Sequence, residues 1–227
     1  MVKVWIPFLD PEKHYIVANL YYSFMTTVLG IIEIALDCMI LYPIVYFIFR
    51  INMLKYVLQN PEEFVEDKRM QSKEYKFHEL MVKCISEHQS IIRTIQDFNN
   101  MMKHYLLFDF SLHALQISGV FFFIAKNMLN SNNFLNYVYA LSLLIQLFIL
   151  YWYGQKLLDE NESISNAIYM SKWYCEDIKS QRLILLLMQR SQKPLGLMIG
   201  PIGIVQLEKF LMILKTVYTI FTVYSNM

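Results

Sequence analysis

The amino-acid sequence predicts an all-α, polytopic helical membrane protein with four transmembrane helices, and three observations carry that prediction. The first is composition: 56% of the 227 residues are hydrophobic and 17% charged, with Phe and Tyr each present 16 times. Soluble chains carry about a quarter charged residues, so the deficit points to lipid as the solvent. The second is a set of four apolar stretches, each long enough for a bilayer, which needs roughly 20 residues of helix. The third is the clustering of Lys and Arg in two of the connections between those stretches.

Residues 1–15, with Pro7, Asp10 and Pro11, read as a loop on the outer side. They lack a signal peptide's basic start, apolar run and small-residue cleavage site, and such an opening predicts an upstream part. Residues 16–49 form the first transmembrane helix, which Pro43 is expected to kink. Residues 50–104 form a charged helical connection, 105–126 the second span, 127–133 a polar tip, and 134–154 the third span. The short tip makes spans two and three a helical hairpin. Residues 155–200 form a second charged connection, and 201–227 the last span with its emergent end.

Orientation follows from basic residues. The connection 50–104 holds nine Lys/Arg and 155–200 holds six, whereas the remaining loops and ends hold only Lys3, Lys13 and Lys126. The positive-inside bias therefore places both connections in the cytosol and both chain ends outside. Both connections also carry helical periodicity. Phe77, Leu80, Met81, Cys84, Ile85, His88, Ile91, Ile92, Ile95 and Phe98 recur every three or four residues, which predicts an amphipathic helix running into span two. Leu157, Leu158, Ile164, Ala167, Ile168 and Met170, then Ile178 and Leu183 to Met188, predict further cytosolic helices.

Several functions lack support. A net charge of +1 argues against a nucleic-acid binder. Cys38, Cys84 and Cys175 are distant and odd in number, so no disulfide framework or zinc spacing follows. His78-Glu79-Leu80-Met81-Val82 lacks the second His of a zinc-protease helix, and no phosphate loop or nucleophile elbow occurs. The chain reads as non-enzymatic, with no cofactor and no metal. Asn161-Glu162-Ser163 is a formal glycosylation sequon that the topology puts in the cytosol, hence unused.

Ionisable residues inside the spans need an account, because they are expensive in lipid. Glu33 and Asp37 lie one turn apart in span one, and Asp109, His113 and Gln116 share a face of span two. They fit either a water-filled vestibule or mutual pairing, such as Asp37 with His113. A metal site would need a third ligand, and none is in view.

The C-terminal third carries an ordered series of motifs. It runs Tyr151-Trp152-Tyr153-Gly154, then Ser165-Asn166-Ala167-Ile168-Tyr169 and Trp173-Tyr174, then Arg190-Ser191-Gln192-Lys193-Pro194, then Leu207-Glu208, Phe210 and Ile213-Leu214-Lys215. This series resembles the insect odorant receptor family, and Trp5, Pro7 and Phe8 are similar to the loop before that family's fourth helix. A related taste receptor fits the middle block less well. The resemblance implies seven helices with a cytosolic N-terminus and an extracellular C-terminus, of which this chain would supply the last four. It departs from the family pattern at Gly200-Pro201-Ile202-Gly203, which predicts a looser hinge before the last helix.

The resemblance further implies an odor-binding subunit of a heteromeric ligand-gated cation channel at the plasma membrane of olfactory sensory neurons. Its partners would be small volatile odorants, membrane lipids and an obligate co-receptor in a heterotetramer. The last helix would line the pore, and the face formed by Thr216, Thr219, Val223 and Asn226 would meet the ions. The bland alternative for that face is a helix–helix contact. Odorants would meet Tyr21, Tyr22, Met25 and Leu29 of span one, Phe121 and Phe122 of span two, and Tyr137 of span three, each of which also suits ordinary packing. Tyr169, Trp173, Tyr174, Arg190, Gln192 and Pro194 would anchor subunits together in the cytosol. A competing reading is a truncated product without channel activity of its own.

Overall fold

The apolar stretches form helices that run beyond the limits drawn from sequence. The computed structural model describes residues 15–65, 73–126, 134–193 and 195–225. In chain order these make α1 (Tyr15–Gln59), α2 (Pro61–Val65), α3 (Lys73–Lys126), α4 (Phe134–Tyr169), α5 (Ile178–Ser191) and α6 (Leu207–Ser225). A short antiparallel pair, β1 (Met198–Ile199) and β2 (Gly203–Ile204), precedes α6. With strands of two residues each, the fold is all-α in substance. Among the described residues three helices are long and apolar enough to cross a membrane: Ile16–Gln59, Tyr75–Ile124 and Asn136–Tyr169. The 19-residue α6 is the fourth apolar helix.

The expected helical extensions join the spans without a break, and only the start of the last helix shifts. No helix ends at 49/50, 104/105 or 154/155; α1, α3 and α4 continue through those points. The stretches around 49/50 and 104/105 contain no Gly or Pro, so nothing there stops helical hydrogen bonding. The expected amphipathic helix and span two are thus one 54-residue element. The last helix starts at Leu207 rather than 201, because Pro201 and two glycines with positive φ divert the backbone first. Residues 1–14 and the tip 127–133 lie outside the described residues.

The chain divides into two compact units, 1–43 and 44–227, with the division at Pro43. In the first unit α1 is apolar on most sides, and Ile16, Leu20, Phe24, Ile31, Ile34 and Met39 are exposed. Its hydroxyls are satisfied locally: Thr26 donates to Tyr22 O at 2.9 Å and Thr27 to Ser23 O at 2.7 Å. Such back-bonding leaves few polar groups without a partner in a hydrocarbon environment.

In the second unit the amphipathic stripe of α3 is the organising surface. Phe77, Met81, Cys84, His88, Ile91, Ile92 and Ile95 are all buried. So are Leu157, Leu158, Ile164 and Ile168 of α4 and Ile184 and Leu187 of α5, the helices that pack on it. Phe47 meets Phe98 edge-on, with ring centroids 5.7 Å apart. Asp177 caps α5 by accepting from the amides of Lys179 and Ser180, which satisfies two of the donors a helix start leaves open.

Two ion pairs tie the end of α1 to this bundle. Arg50 donates to Glu87 Oε1 from Nε at 3.0 Å and from a terminal nitrogen at 2.5 Å, and reaches Ser90. Lys55 bonds Glu160 and donates to Ser163 Oγ at 2.9 Å, with both members of the Lys55–Glu160 pair only about one-fifth exposed. Glu160→Gln leaves a half-buried ammonium without its counter-charge and is expected to cost about 1–2 kcal/mol, between the surface and the buried limits for ion pairs. Thermal unfolding in detergent measures that loss, and Lys55→Met added to Glu160→Gln should recover part of it.

Candidate functional site: the entry to the last helix

The segment before α6 is a pinned turn, and this corrects the expectation of a looser hinge. β1 and β2 pair in antiparallel register, Met198 with Ile204 and Ile199 with Gly203. The Val205 amide then donates to Leu197 O at 2.8 Å. Leu197, Ile199 and Val205 are buried, so the turn has its own apolar underside. Gly200 and Gly203 take φ of +43° and +107°, which side-chain-bearing residues seldom adopt, and this is why glycine stands there. The glycines that look breakable in sequence are therefore what lets the chain close a tight turn.

Three contacts fix this turn to the bundle. Asn99 of α3 is buried; its Nδ2 donates to Gly196 O at 2.9 Å and its Oδ1 accepts from Met198 N at 3.0 Å. One partner is a carbonyl and the other an N–H, so the amide can sit only one way round. Gly154 of α4 permits the second contact: a Cβ there would lie 2.5 Å from Val205 Cγ1 and 3.0 Å from Val205 O. The third is aromatic. Phe210, in the first turn of α6, meets Phe148 at 5.6 Å and Tyr151 at 6.2 Å between ring centroids.

From that fixed start α6 buries Ile213 and Val217, one turn apart, and leaves the opposite flank open. Thr216, Thr219 and Val223 are all exposed, as the helical spacing requires for one face. Thr216 donates to Met212 O and Thr219 to Lys215 O, each at 2.9 Å. Their protons are used inward, so their oxygens present lone pairs outward. Asn226 lies outside the described residues.

The residues expected to meet odorants divide between the two units. Tyr21, Met25 and Leu29 are exposed on α1, and Tyr22 lines a shallow groove with Ile16, Asn19, Leu20, Ser23 and Thr26. Phe122 and Tyr137 are exposed in the second unit, and Phe121 is partly buried. Of the ionisable residues, His113 is buried with Nδ1 3.5 Å from Asp109 Oδ2 and 3.0 Å from Asp109 O, so this His and Asp pair along one helix. Gln116, expected on the same face, is exposed. No group of three His, Cys, Asp or Glu among the described residues is placed to hold a metal ion.

The expected anchor residues separate by environment. Tyr169, Tyr174 and Gln192 are exposed, as are Met170, Ile178, Leu185 and Leu186 nearby, so this surface is largely apolar and uncovered. Trp173 instead lines a cavity of about 310 Å³ together with Leu58, Phe77, Met81, Ile168 and Ile184. Arg190 is partly buried beside His88, and Pro194 lies outside the described residues. Asn161 of the sequon is 1% exposed and donates toward Lys193 O at 3.4 Å, so it is a core residue and no glycan could reach it.

Two residues escaped the sequence reading. Asn99 falls four residues after Ile95 and seven after Ile92, on the apolar stripe itself; an uncharged amide there was the available signal. Gly154 was visible as a motif letter, but not as the point where another segment crosses α4.

Known proteins are similar to this chain in sequence and in fold. The 7tm odorant receptor family profile matches residues 1–218. Odorant receptor Or2 of Anopheles gambiae is 24% identical over 139 residues, covering 61% of this chain and 37% of that protein. Odorant receptor 67c of Drosophila melanogaster is 21% identical over 230 residues, covering 98% of this chain and 55% of that one. The structure of the insect olfactory receptor OR5 from Machilis hrabei in complex with eugenol superposes with a TM-score of 0.80 at 17% identity, over 98% of this chain and 56% of that chain. The chain thus spans between about a third and just over half of the length of these relatives. With a family match across nearly its whole length, and helices fit to cross a bilayer, this multi-pass membrane protein belongs to the insect odorant receptor family.

Proposed function

We propose that the chain is the pore-forming and part of the odor-binding portion of a subunit in a heteromeric, ligand-gated cation channel. The observation that carries this reading is the uncovered flank of α6. Thr216 and Thr219 turn hydroxyl oxygens outward, and Val223 follows one turn after Thr219. Hydroxyl lone pairs partly replace the water around a cation, and a ring of valines beyond them can stop ions by dewetting. The exposed apolar surface around Tyr169, Tyr174, Leu185 and Leu186 is suited to contact between subunits in the cytosol. Odorants, being small and apolar, suit the aromatic and Met side chains Tyr21, Tyr22, Met25, Phe121, Phe122 and Tyr137. The subunit would work with an odorant co-receptor at the plasma membrane of olfactory neurons, with its C-terminus outside.

Cysteine scanning tests the pore assignment. In membranes containing the chain and a co-receptor subunit, Thr216→Cys and Thr219→Cys should react with water-soluble thiol reagents and block odor-evoked current. Tyr218 is exposed on a different flank from Thr216, Thr219 and Val223, so Tyr218→Cys should leave the current intact. Uniform shielding at Thr216, Thr219 and Val223 would remove the pore reading. Complete absence of current with correct surface delivery would favour a product that does not conduct.

A further inference from the structure

We propose that Asn99 is the positioning residue of the last helix, joining α3 to the turn from which α6 departs so that a displacement of α3 is carried to α6. The inference rests on α6 being the pore helix, and it adds the element that sets where that helix begins.

The geometry supports a clamp with two jaws. The Asn99 carboxamide holds Gly196 O, two residues before β1, and Met198 N, at the first residue of β1, at 2.9 and 3.0 Å. The gripped residues are separated only by Leu197, whose carbonyl accepts from Val205 N at 2.8 Å. Val205 leads into Leu207, the first residue of α6. A continuous path therefore runs from the α3 side chain, through one strand, to the start of the last helix. It involves two hydrogen bonds from the side chain, one between backbone groups, and two residues of chain.

Alternatives to Asn99 for this task are weak. Leu107 of the same helix also touches the turn, since a Cβ on Gly200 would lie 3.2 Å from its Cδ2, but that contact is non-directional. Packing of this kind resists compression and allows sliding. A donor and an acceptor matched to backbone groups two residues apart fix register as well as distance, because a slip along the strand would face donor to donor and acceptor to acceptor. The amide is buried, so water does not compete for either bond. Asn99, at the middle of α3, also lies on the same helix as Phe121 and Phe122, which are near its C-terminal end. A ligand that moves α3 would thus act on α6 through this residue.

The test uses the 227-residue chain in lipid nanodiscs and needs no conduction, so it is independent of whether the channel reading holds. Asn99→Leu removes both bonds while keeping a buried side chain, and Asn99→Asp keeps only the acceptor for Met198 N. Hydrogen exchange at the Met198 amide should become about tenfold faster in Asn99→Leu, the loss of one net hydrogen bond, and should return most of the way in Asn99→Asp. Exchange across α5, 178–191, should stay unchanged, which separates positioning from general loosening. With Cys38 and Cys175 replaced by serine, spin labels at Gln96→Cys and Leu211→Cys should give one narrow distance distribution in the parent. That distribution should broaden at least about twofold in Asn99→Leu, because freed bonds admit more than one register. Unchanged Met198 exchange in Asn99→Leu, or an equally narrow distribution, would overturn the proposal. Faster exchange spread equally through α5 would also overturn it, since Asn99 would then be a general core residue.

Discussion

Replacing Gly154 by valine is expected to dislodge the turn before α6 and destabilise the chain by about 3 kcal/mol or more, beyond the usual cost of overpacking. A Cβ at this position falls 2.5 Å from Val205 Cγ1 and 3.0 Å from both Val205 Cβ and Val205 O. A side-chain atom can rotate away, but the carbonyl cannot. The Val205 amide is held by Leu197 O, and Gly154 itself sits inside the 36-residue helix α4. Alanine should fall lower, about 1–3 kcal/mol for the clash, offset by up to about 1 kcal/mol of gained helix propensity. Adding Val205→Ala to Gly154→Ala should return only part of the loss, since it removes Cγ1 and leaves Cβ and the carbonyl. Gly119→Ala is the control: nothing lies within 4 Å of the added methyl, so it should be neutral or slightly stabilising. Thermal unfolding of the four variants in one detergent orders them, and an unperturbed Gly154→Val would mean that α4 and the turn do not cross this closely.

The contrast between Gly154 and the α3 stripe shows what the sequence makes legible. Phe77, Met81, Cys84, His88, Ile91 and Ile95 announce a buried helical face because period and burial are local properties, written into one stretch of chain. The family motifs are legible for a different reason, since they are an ordered set. The turn at 195–206 is a harder case. Its strands have two residues each, and Leu-Gly-Leu-Met-Ile-Gly-Pro-Ile-Gly-Ile-Val is as apolar as the helix it precedes, so by hydropathy it merges with a span. Gly154 and Asn99 depend on partners 51 and 97 residues away, Val205 and Gly196, and no local pattern names them. The proposed pore face rests on a spacing within one helix. The residues proposed to meet odorants are spread over three helices, and their common property, being apolar and aromatic, is shared with much of the chain.

Acid should weaken the bundle of α3, α4 and α5 before it reaches any carboxylate, and His88 is the reason. This side chain is 2% exposed on the buried stripe of α3, and its Nε2 has no hydrogen-bond partner. Burial, reinforced by the Arg190 charge, lowers its pKa from 6.5 to about 4, so in the folded chain it stays neutral where the unfolded chain takes up a proton. The sign follows directly. Stability from this group is complete above pH 6.5 and is lost as pH falls toward 4, because the unfolded state binds more protons across that window. The full loss is roughly 3 kcal/mol. Asp177, held down by the Ser180 hydrogen bonds, and Glu79, held down by Lys83, act in the same direction but only below their ordinary values of 3.8 and 4.5. The window from 6.5 to 4.5 therefore separates His88 from them. His88→Leu fills the site without a titrating group. Its unfolding temperature should be nearly flat across that window, while the parent's falls by several degrees. Parallel curves for parent and variant would show that His88 finds a proton acceptor in the folded chain. A neutral, apolar interior between α3, α4 and α5 would then be wrong.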